Sequence, residues 1–408
     1  MTRSVVVTGL GVVARDVIGT ADFGRVLSRG GTAPEPPPQF DSERFRARLA
    51  HVADPLATRA ALHNADCGGL MAAVTEAEVA CAGHGILAAL QAIRQAGLDA
   101  ATLHRAGCAV ATTSGGMMDR YSDALDAGTS GSETHDLVVP CSAALVLQRV
   151  FGLTGPLCGF SCACVSSLAA LSYALARVRN GDVPLMLVGG SDRMREADFA
   201  GFNALRAMDR DSCRPFDRTR KGMVIGDGAA MLVIEDEDHA RARGATPLVR
   251  LAGMGLSTDS YHITSPNSRG LAMAMRQALA EAGRSPSDIG YVNCHGTGTP
   301  LNDIAEAEAL ASVFTGDAPR PIVGSTKGST GHLLGSAGAI ETVATILALQ
   351  AGEAPLMATT TDPEDIGFAL PLAGTDRRLA TGLAMNNSLG FGGLNGSLIL
   401  ELVTTGEP

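Results

Sequence analysis

The fold of this chain can be worked out from one stretch, Phe160-Ser161-Cys162-Ala163-Cys164-Val165-Ser166-Ser167. It follows a turn at Gly155-Pro156 and leads into apolar residues at helical spacing that continue to Asn180-Gly181. This pattern predicts a buried helix with Cys164 at its N-terminus. Free N–H groups and the helix dipole favour a thiolate there. Free cysteine is, however, often inert packing, so a catalytic role requires partner residues elsewhere in the chain.

Apolar runs alternate with helical patterns along the whole chain. The runs that predict buried strands are 4–8, 107–112, 184–190, 231–235, 248–254, 289–293, 321–324, 383–386 and 397–402. The main predicted helices are 73–96, 137–150, 165–178, 270–282, 303–314 and 336–349. Repeats of this kind predict an α/β protein whose sheet faces are covered. The pattern restarts after Ala245, so we predict two similar halves, 1–245 and 246–408.

Composition restricts the class of protein. The chain has 408 residues, of which 46% are hydrophobic, and a formal net charge of −10. This length is ample for a large core, and the negative charge argues against general nucleic-acid binding. Nine cysteines without a framework spacing, and no recognisable secretory leader, predict a reduced, cytoplasmic location. We predict that no apolar run is long enough to span a bilayer, and we expect no membrane association.

Two short patterns indicate other chemistry only weakly. Gly9-Leu10-Gly11-Val12-Val13-Ala14 loosely matches a dinucleotide fingerprint, which would suggest a nicotinamide oxidoreductase. No helix is predicted directly after it, and no strand with a terminal acid follows at the required distance. Cys162-Ala163-Cys164 could indicate a metal or redox site, but no second ligand cluster accompanies it. We therefore predict no metal site.

Three other stretches carry histidine, glycine and hydroxyl residues directly after predicted strands. They are Asn293-Cys294-His295-Gly296-Thr297-Gly298-Thr299, Lys327-Gly328-Ser329-Thr330-Gly331-His332 and Asn387-Ser388-Leu389-Gly390-Phe391-Gly392-Gly393. In open α/β sheets, the carboxyl ends of the strands form the ligand crevice. His295 and His332, together with a cysteine at a helix N-terminus, form a more specific set than any one of them alone.

With these motifs the chain resembles a β-ketoacyl-ACP synthase, similar to the synthase II type, of the thiolase-like superfamily. The resemblance extends over residues 4–399 and is weaker between about residues 32 and 103. Further motifs that carry it are Arg214-Pro215-Phe216-Asp217, Gly226-Asp227-Gly228-Ala229 and the segment 261–266. The resemblance implies a thiolase-like fold with two similar α/β halves in a layered α-β-α-β-α arrangement.

The resemblance also implies an acyltransferase mechanism. Cys164 would carry the acyl group, while His295 and His332 would stabilise the enolate formed from a malonyl extender. Backbone N–H groups of Cys164 and Phe391 would form an oxyanion hole. The remaining implied assignments are Lys327 paired with Glu341 as orienting residues, Phe391 as a gate, and Thr264, Thr297, Thr299, Phe202 and Met118 as substrate contacts. No cofactor is implied, because the substrates arrive on the phosphopantetheine of an acyl carrier protein.

Besides the carrier protein, the resemblance implies a partner subunit. The expected assembly is a homodimer, or a heterodimer with a chain-length-factor-like sister subunit that lacks the cysteine. The family pairs its subunits through a strand, for which the candidates here are 107–112 and 184–190. Arg206 is a candidate contact for the carrier protein.

The pair Asn302-Asp303 resembles the residues found in synthases of polyketide or polyene pathways more than those of housekeeping fatty-acid enzymes. We therefore favour a polyketide or other secondary pathway, with fatty acid biosynthesis as the alternative. Two alternatives remain open. A non-catalytic chain-length subunit is opposed by the presence of the cysteine and both histidines. A CoA-dependent thiolase is opposed because the only cysteine after residue 213 is Cys294, which precedes the histidine instead of lying near the glycine-rich loop.

Overall fold

The computed structural model describes residues 3–65, 74–115, 139, 141–316 and 319–403. Within these residues, 11 strands form one mixed sheet. The strands are β1 (Val5–Ala14), β2 (Val17–Ile18), β3 (Gly107–Ala111), β4 (Leu157–Phe160), β5 (Leu185–Asp192), β6 (Gly228–Asp236), β7 (Val249–Thr258), β8 (Tyr291–Asn293), β9 (Ile322–Gly324), β10 (Leu383–Gly390) and β11 (Leu394–Leu402). The α-helices are α1 (Thr20–Arg29), α2 (Pro55–Asn64), α3 (Glu76–Ala96), α4 (Ala100–His104), α5 (Ser142–Phe151), α6 (Ser166–Arg179), α7 (Glu196–Ala204), α8 (Glu237–Ala242), α9 (Ser268–Ala282), α10 (Pro300–Val313), α11 (Lys327–Thr330) and α12 (Ala337–Ala351).

The two halves of the chain contribute strands in the same spatial order. The first half gives β4-β3-β5-β6-β1, and the second gives β9-β8-β10-β11-β7. The directions match as well, because β3 runs parallel to β4 and β5 just as β8 runs parallel to β9 and β10. The other pairs within each half are antiparallel. A short antiparallel contact between β1 and β7, where Val6 lies opposite Arg250, joins the halves.

Apolar clusters define the layers. The largest cluster places α6 and α12 between the two halves, with side chains such as Leu171 and Val343 packed against strands of both. A second cluster packs α3 and α5 on the outer face of the first half. A third packs α9 and α10 on the outer face of the second half. The layers therefore alternate as α-β-α-β-α, which confirms the predicted arrangement.

Several helices begin and end where the sequence predicts. Thr75 and Glu78 form a capping box at the start of α3, and Gly97 closes that helix with a φ of 64°. The helix that follows Cys164 is α6, which ends at Arg179. The predicted helix 137–150 is observed from Ser142, while residues 137, 138 and 140 lie outside the described residues. Helices α1, α2, α4, α7, α8 and α11 were not predicted.

The N-terminal glycine pattern lies inside a strand and not in a nucleotide-binding loop. β1 continues through Gly9 and Gly11, with an irregularity in its pairing after Val7. A Cβ atom at Gly9 would collide with the carbonyl oxygen of Ala92 on α3, and one at Gly11 would collide with that of Ala88. The two glycines therefore allow α3 to pack closely on β1.

The strand order of the first half contradicts the prediction of which strand pairs two subunits. The two candidates, 107–112 and 184–190, correspond to β3 and β5, and both are bonded to strands on either side. Within the described residues, the strand at that edge is β4, which was not predicted. The prediction that β3 or β5 pairs subunits is therefore wrong, because an interior strand has no free backbone groups for a second subunit.

The expectation that no apolar run could span a bilayer also needs correction. The helical segment Leu334–Ala351 is long and apolar enough by length and composition, but 83% of it is buried inside the protein. It includes α12, which lies in the central layer between the two halves. Its hydrophobicity is accounted for by packing on both sides.

Candidate active site

Cys164 lies in a tight connection between β4 and α6. Ser166 fixes this connection, since its hydroxyl accepts a hydrogen bond from the Cys162 N–H at 2.7 Å and donates to the Ala163 carbonyl at 2.6 Å. Ala163 has a φ of 49°, a left-handed conformation that is costly for a residue with a Cβ. This strained turn places Cys164 one residue before the Val165 cap of α6, where it is only 8% exposed.

His295 lies in the loop between β8 and α10, and a glutamate on that helix holds the loop. Both carboxylate oxygens of Glu306 accept backbone hydrogen bonds at 2.8 Å, one from His295 and one from Gly296. Asp303, one turn earlier, accepts from Gly298 at 3.2 Å and from Phe216 at 2.8 Å. Burial raises the pKa of Glu306 to about 7 and that of Asp303 to about 6. These carboxylates therefore shape the histidine loop.

The sequence did not assign Glu306 a role, and Asp303 was interpreted only as a mark of the pathway. Both side chains are almost completely buried, which is rare for acidic residues unless they are hydrogen-bonded. The available signal was their spacing of three residues on one face of a predicted helix, directly after the histidine loop.

His332 follows β9 and the short helix α11. Its Nδ1 accepts a hydrogen bond from the Leu334 N–H at 3.0 Å. A neutral imidazole carries one proton, so this acceptor role places the proton on Nε2. The Nε2 atom is buried and has no hydrogen-bond partner among the described residues. His332 is therefore a neutral ring that lines the cavity, and its Nε2–H group can donate a hydrogen bond.

Lys327 imposes the same tautomer on His295. Its Nζ lies 3.1 Å from His295 Nδ1 and also pairs with the carboxylate of Glu341. The ammonium group can only donate, so His295 also carries its proton on Nε2. Lys327 is 0% exposed and Glu341 is 1% exposed, and burial raises the pKa of Glu341 to about 7 against the opposing effect of Lys327. The structure thus forms the Lys327–Glu341 pair that the resemblance implied.

The reactive atoms of Cys164, His295 and His332 lie within 4.8 Å of one another. The two imidazole rings are almost perpendicular, at 88°, with centroids 5.3 Å apart. Burial lowers the pKa of both histidines well below the usual value, and the charge of Lys327 lowers it further. Both rings are therefore neutral at pH 7.

Cys164 differs from the expectation of a thiolate. Burial raises the pKa of its thiol to about 12, although the charge of Lys327 acts in the opposite direction. The desolvation of a charged sulfur in this enclosed site outweighs the helix N-terminus. The side chain of Cys164 is therefore a thiol at pH 7.

One sulfur and two imidazoles at this separation also match the donors of a zinc site. A ligand nitrogen needs a free lone pair, however, and both Nε2 atoms carry a proton because both Nδ1 atoms accept hydrogen bonds. The arrangement is therefore suited to donating hydrogen bonds and not to ligating a metal.

A cavity of about 280 Å³ leads from these groups to the surface. The predicted substrate contacts Thr264, Thr297 and Thr299 line it, as does Phe391. The hydroxyls of Thr297 and Thr299 are 2.8 Å apart. Phe202 contacts Phe391, with ring centroids separated by 6.3 Å. The last predicted contact, Met118, lies outside the described residues.

The cavity mouth combines apolar and cationic side chains. Leu205, Ile263 and Leu301 line it and are 54%, 72% and 60% exposed, respectively. Arg206 and Lys221 line the same opening and are exposed. Large exposed apolar side chains beside a cavity are typical of an interaction site.

Known proteins are similar to this chain in both sequence and fold. The model for "Beta-ketoacyl synthase, N-terminal domain" matches residues 2–240, and that for "Beta-ketoacyl synthase, C-terminal domain" matches residues 248–361. Nodulation protein E of Rhizobium meliloti (strain 1021) is 37% identical over 326 residues, which cover 78% of this chain and 81% of that protein. The 3-oxoacyl-[acyl-carrier-protein] synthase 2 of Vibrio harveyi is 32% identical over 425 residues, covering 98% and 99%. The solved structure of the ishigamide ketosynthase/chain length factor superposes with a TM-score of 0.89 at 28% identity, covering 99% of this chain and 100% of that one.

Proposed function

Because the chain belongs to the β-ketoacyl synthase family of condensing acyltransferases, we propose that it joins an acyl group on Cys164 to a malonyl unit carried by an acyl carrier protein. One observation carries this assignment of residues. A single thiol faces two neutral histidines whose Nε2–H groups are held in the donor state by Lys327 and by a backbone N–H. This set can bind one carbonyl oxygen beside an acylated sulfur.

In the first half-reaction, the Cys164 sulfur attacks the thioester carbonyl of an acyl carrier. The carbon–sulfur bond to pantetheine breaks as the new one forms, and the thiol proton passes to the departing sulfur. Neither histidine is a ready base, because each Nε2 already carries a proton and each Nδ1 accepts a hydrogen bond. The backbone N–H groups of Cys164 and Phe391 are the proposed donors to the transient oxyanion.

In the second half-reaction, a malonyl thioester places its carbonyl oxygen between His295 and His332. The bond to the carboxylate breaks, carbon dioxide leaves, and the electron pair forms an enolate that both Nε2–H groups stabilise. The enolate carbon attacks the acyl-Cys164 carbonyl and expels the sulfur, which regains a proton from solvent. Neutral histidines suit this step, because they donate without themselves having to titrate.

Carriers and partners follow from the surface. The apolar and cationic mouth fits a carrier protein that presents a pantetheine arm next to apolar and acidic side chains. We propose that the uncharged strand β4, which lies at the sheet edge within the described residues, pairs with a second copy or with a sister subunit. A sister subunit agrees with the name of the ishigamide structure, which pairs a ketosynthase with a chain length factor. If β4 forms this contact, the substitution Cys158→Lys on that strand should disrupt it. The mass measured by light scattering should then fall to that of one chain.

Three further points remain proposals. A cytoplasmic location agrees with the free cysteines of the described residues. A polyketide or other secondary pathway agrees with the likeness to the ishigamide ketosynthase. The division into halves near residue 245 agrees with the strand order that both halves share.

The proposed function is tested by incubating the protein with acyl carriers of several chain lengths and then with malonyl carrier protein. Mass spectrometry should detect an acyl group on Cys164 and then a β-ketoacyl carrier that contains two additional carbons. A protein that is acylated but forms no such product with any acyl carrier would contradict the proposal.

A further inference from the structure

Asp192 is a buried carboxylate that the proposed mechanism does not use. It is the last residue of β5 and is 5% exposed. Its Oδ1 accepts hydrogen bonds from the Thr112 hydroxyl at 2.7 Å and from the Thr113 N–H at 2.8 Å. Its Oδ2 accepts from the Ser336 N–H at 3.0 Å. The side chain therefore binds a loop of its own half and the start of α12 in the other half.

The partner of Asp192 in the second half is the 3₁₀ turn Leu334–Ser336. Residues of the first half bind this turn at two more points. The Thr113 hydroxyl accepts from the Gly335 N–H at 2.8 Å, and the Ser167 hydroxyl donates to the Gly335 carbonyl. A Cβ atom at Gly335 would lie 2.6 Å from the Thr112 carbonyl carbon, so the contact leaves no room for a side chain.

The same turn supplies the hydrogen bond that fixes His332. Leu334, its first residue, has a φ of 53° and donates its N–H to His332 Nδ1 at 3.0 Å. A left-handed conformation in a leucine persists only where the surroundings hold it. A continuous path of hydrogen bonds and one turn thus leads from Asp192 to the imidazole.

We propose that Asp192, together with Thr113, is a positioning residue of the first half that keeps His332 of the second half in its Nε2–H donor form. The proposal rests on the role given to His332 in the proposed function. Asp192 acts through the turn, because it contacts the backbone of Ser336 and not the reacting atoms. Thr112, Ser336 and the carboxylate are buried, so losing these hydrogen bonds is costly, because an unpaired group would be left without water.

The test uses two isosteric variants. Asp192→Asn replaces one acceptor oxygen by a donor, so the side chain can no longer accept from both the Thr113 and the Ser336 N–H groups. Thr113→Val removes the acceptor of the Gly335 N–H. Nitrogen-15 spectra of the histidine rings report the tautomer in the protein without substrate. We expect His332 to show a mixture of tautomers in both variants, while His295, held by Lys327, remains Nε2–H. Malonyl decarboxylation should slow about tenfold, as for one weakened buried hydrogen bond, while acylation of Cys164 is unchanged.

A matched control is Glu235→Gln. Glu235 is a buried carboxylate of the same half and accepts from Thr8 and Arg243, but it lies opposite Leu185, at the other end of β5 from Asp192. This variant should lower the melting temperature without changing the tautomer of His332. The proposal is overturned if the two test variants behave like the control, with a lower melting temperature and an unchanged tautomer of His332.

The proposal can still be judged if a variant does not fold or if the proposed function fails. If Asp192→Asn does not fold, Thr113→Val alone decides, because Thr113 is only half-buried and the substitution keeps its shape. If the wild-type protein neither decarboxylates malonyl carriers nor forms product, the proposed function fails. The histidine spectra would still show whether Asp192 controls the tautomer.

Discussion

The two halves share a strand order but use the connections after the corresponding strands β4 and β9 differently. In the first half, β4 leads through a strained turn to Cys164 and α6. In the second half, β9 leads through α11 to His332 and α12, and α11 also supplies Lys327. Cys164, which precedes α6, and His332, which precedes α12, both line one cavity. A repeated fold can therefore bring a thiol from one half and imidazole rings from the other half to the same site.

The loops after the corresponding strands β3 and β8 also differ between the halves. In the first half, β3 is followed by Thr112 and Thr113, which bind Asp192 and the turn beside His332. In the second half, β8 is followed by His295, which faces the cavity. The groups that position His295 all belong to the second half, namely Lys327, Glu341 and Glu306. The first half contributes a neutral thiol and a buried carboxylate, Asp192, which binds the turn beside His332.

The largest effect should come from removing Cys164, the proposed nucleophile, from the first half. Cys164→Ala is expected to abolish formation of the acyl-enzyme, measured as intact mass after incubation with an acyl carrier. Cys162→Ala is the control, because this half-buried cysteine lies two residues away and should leave the adduct in place. An acyl adduct that persists in Cys164→Ala would show that another residue is the nucleophile.

The donors of the second half should separate the two half-reactions. His295→Ala and His332→Ala are each expected to slow malonyl decarboxylation by roughly 10²–10³-fold, the usual cost of one oxyanion donor. Acylation of Cys164 should continue, because neither ring serves as its base. Decarboxylation at the wild-type rate in either variant would remove that histidine from the mechanism.

The buried pair of the second half should contribute to stability as well as to orientation. Lys327→Met leaves Glu341 without its partner and should lower the free energy of unfolding by about 3–5 kcal/mol, measured by denaturant unfolding. His295 should lose its fixed tautomer in the same variant. The double variant Lys327→Met/Glu341→Gln should recover part of the stability but not the activity. Full recovery of activity would mean that Lys327 acts only through Glu341.

The smallest effect concerns pH. The pKa of Glu306 is raised to about 7 in the folded protein, above its value of about 4.5 in an unfolded chain. The folded state therefore binds the proton more tightly, so the contribution of this group to stability is present below pH 4.5 and is lost as the pH rises through 7. Glu306→Gln should weaken this decline, measured as the melting temperature between pH 4.5 and 7. An identical pH slope in wild type and variant would show that Glu306 keeps an ordinary pKa.

Much of the framework could be predicted from the sequence, because it depends on local signals. Helical spacing after Cys164 predicted α6, and glycine-rich loops after apolar runs identified His295, His332 and Phe391 as neighbours of one crevice. The restart after residue 245 predicted two similar halves. These signals lie within a few residues of one another, where the periods of helix and strand determine which side chains share a face.

Other features were decided only by the tertiary structure. Asp192 and Ser336 are 144 residues apart, and nothing near either one indicates that a carboxylate will hold a turn in the other half. The histidine tautomers depend on which donors reach each Nδ1, and the thiol form of Cys164 depends on how completely packing excludes water. The position of β4 at the end of the strand order, among the residues that the structure describes, likewise follows from long-range packing. The sequence determined which groups are present and on which local elements they lie, whereas long-range packing determined their protonation, their partners and the direction of their hydrogen bonds.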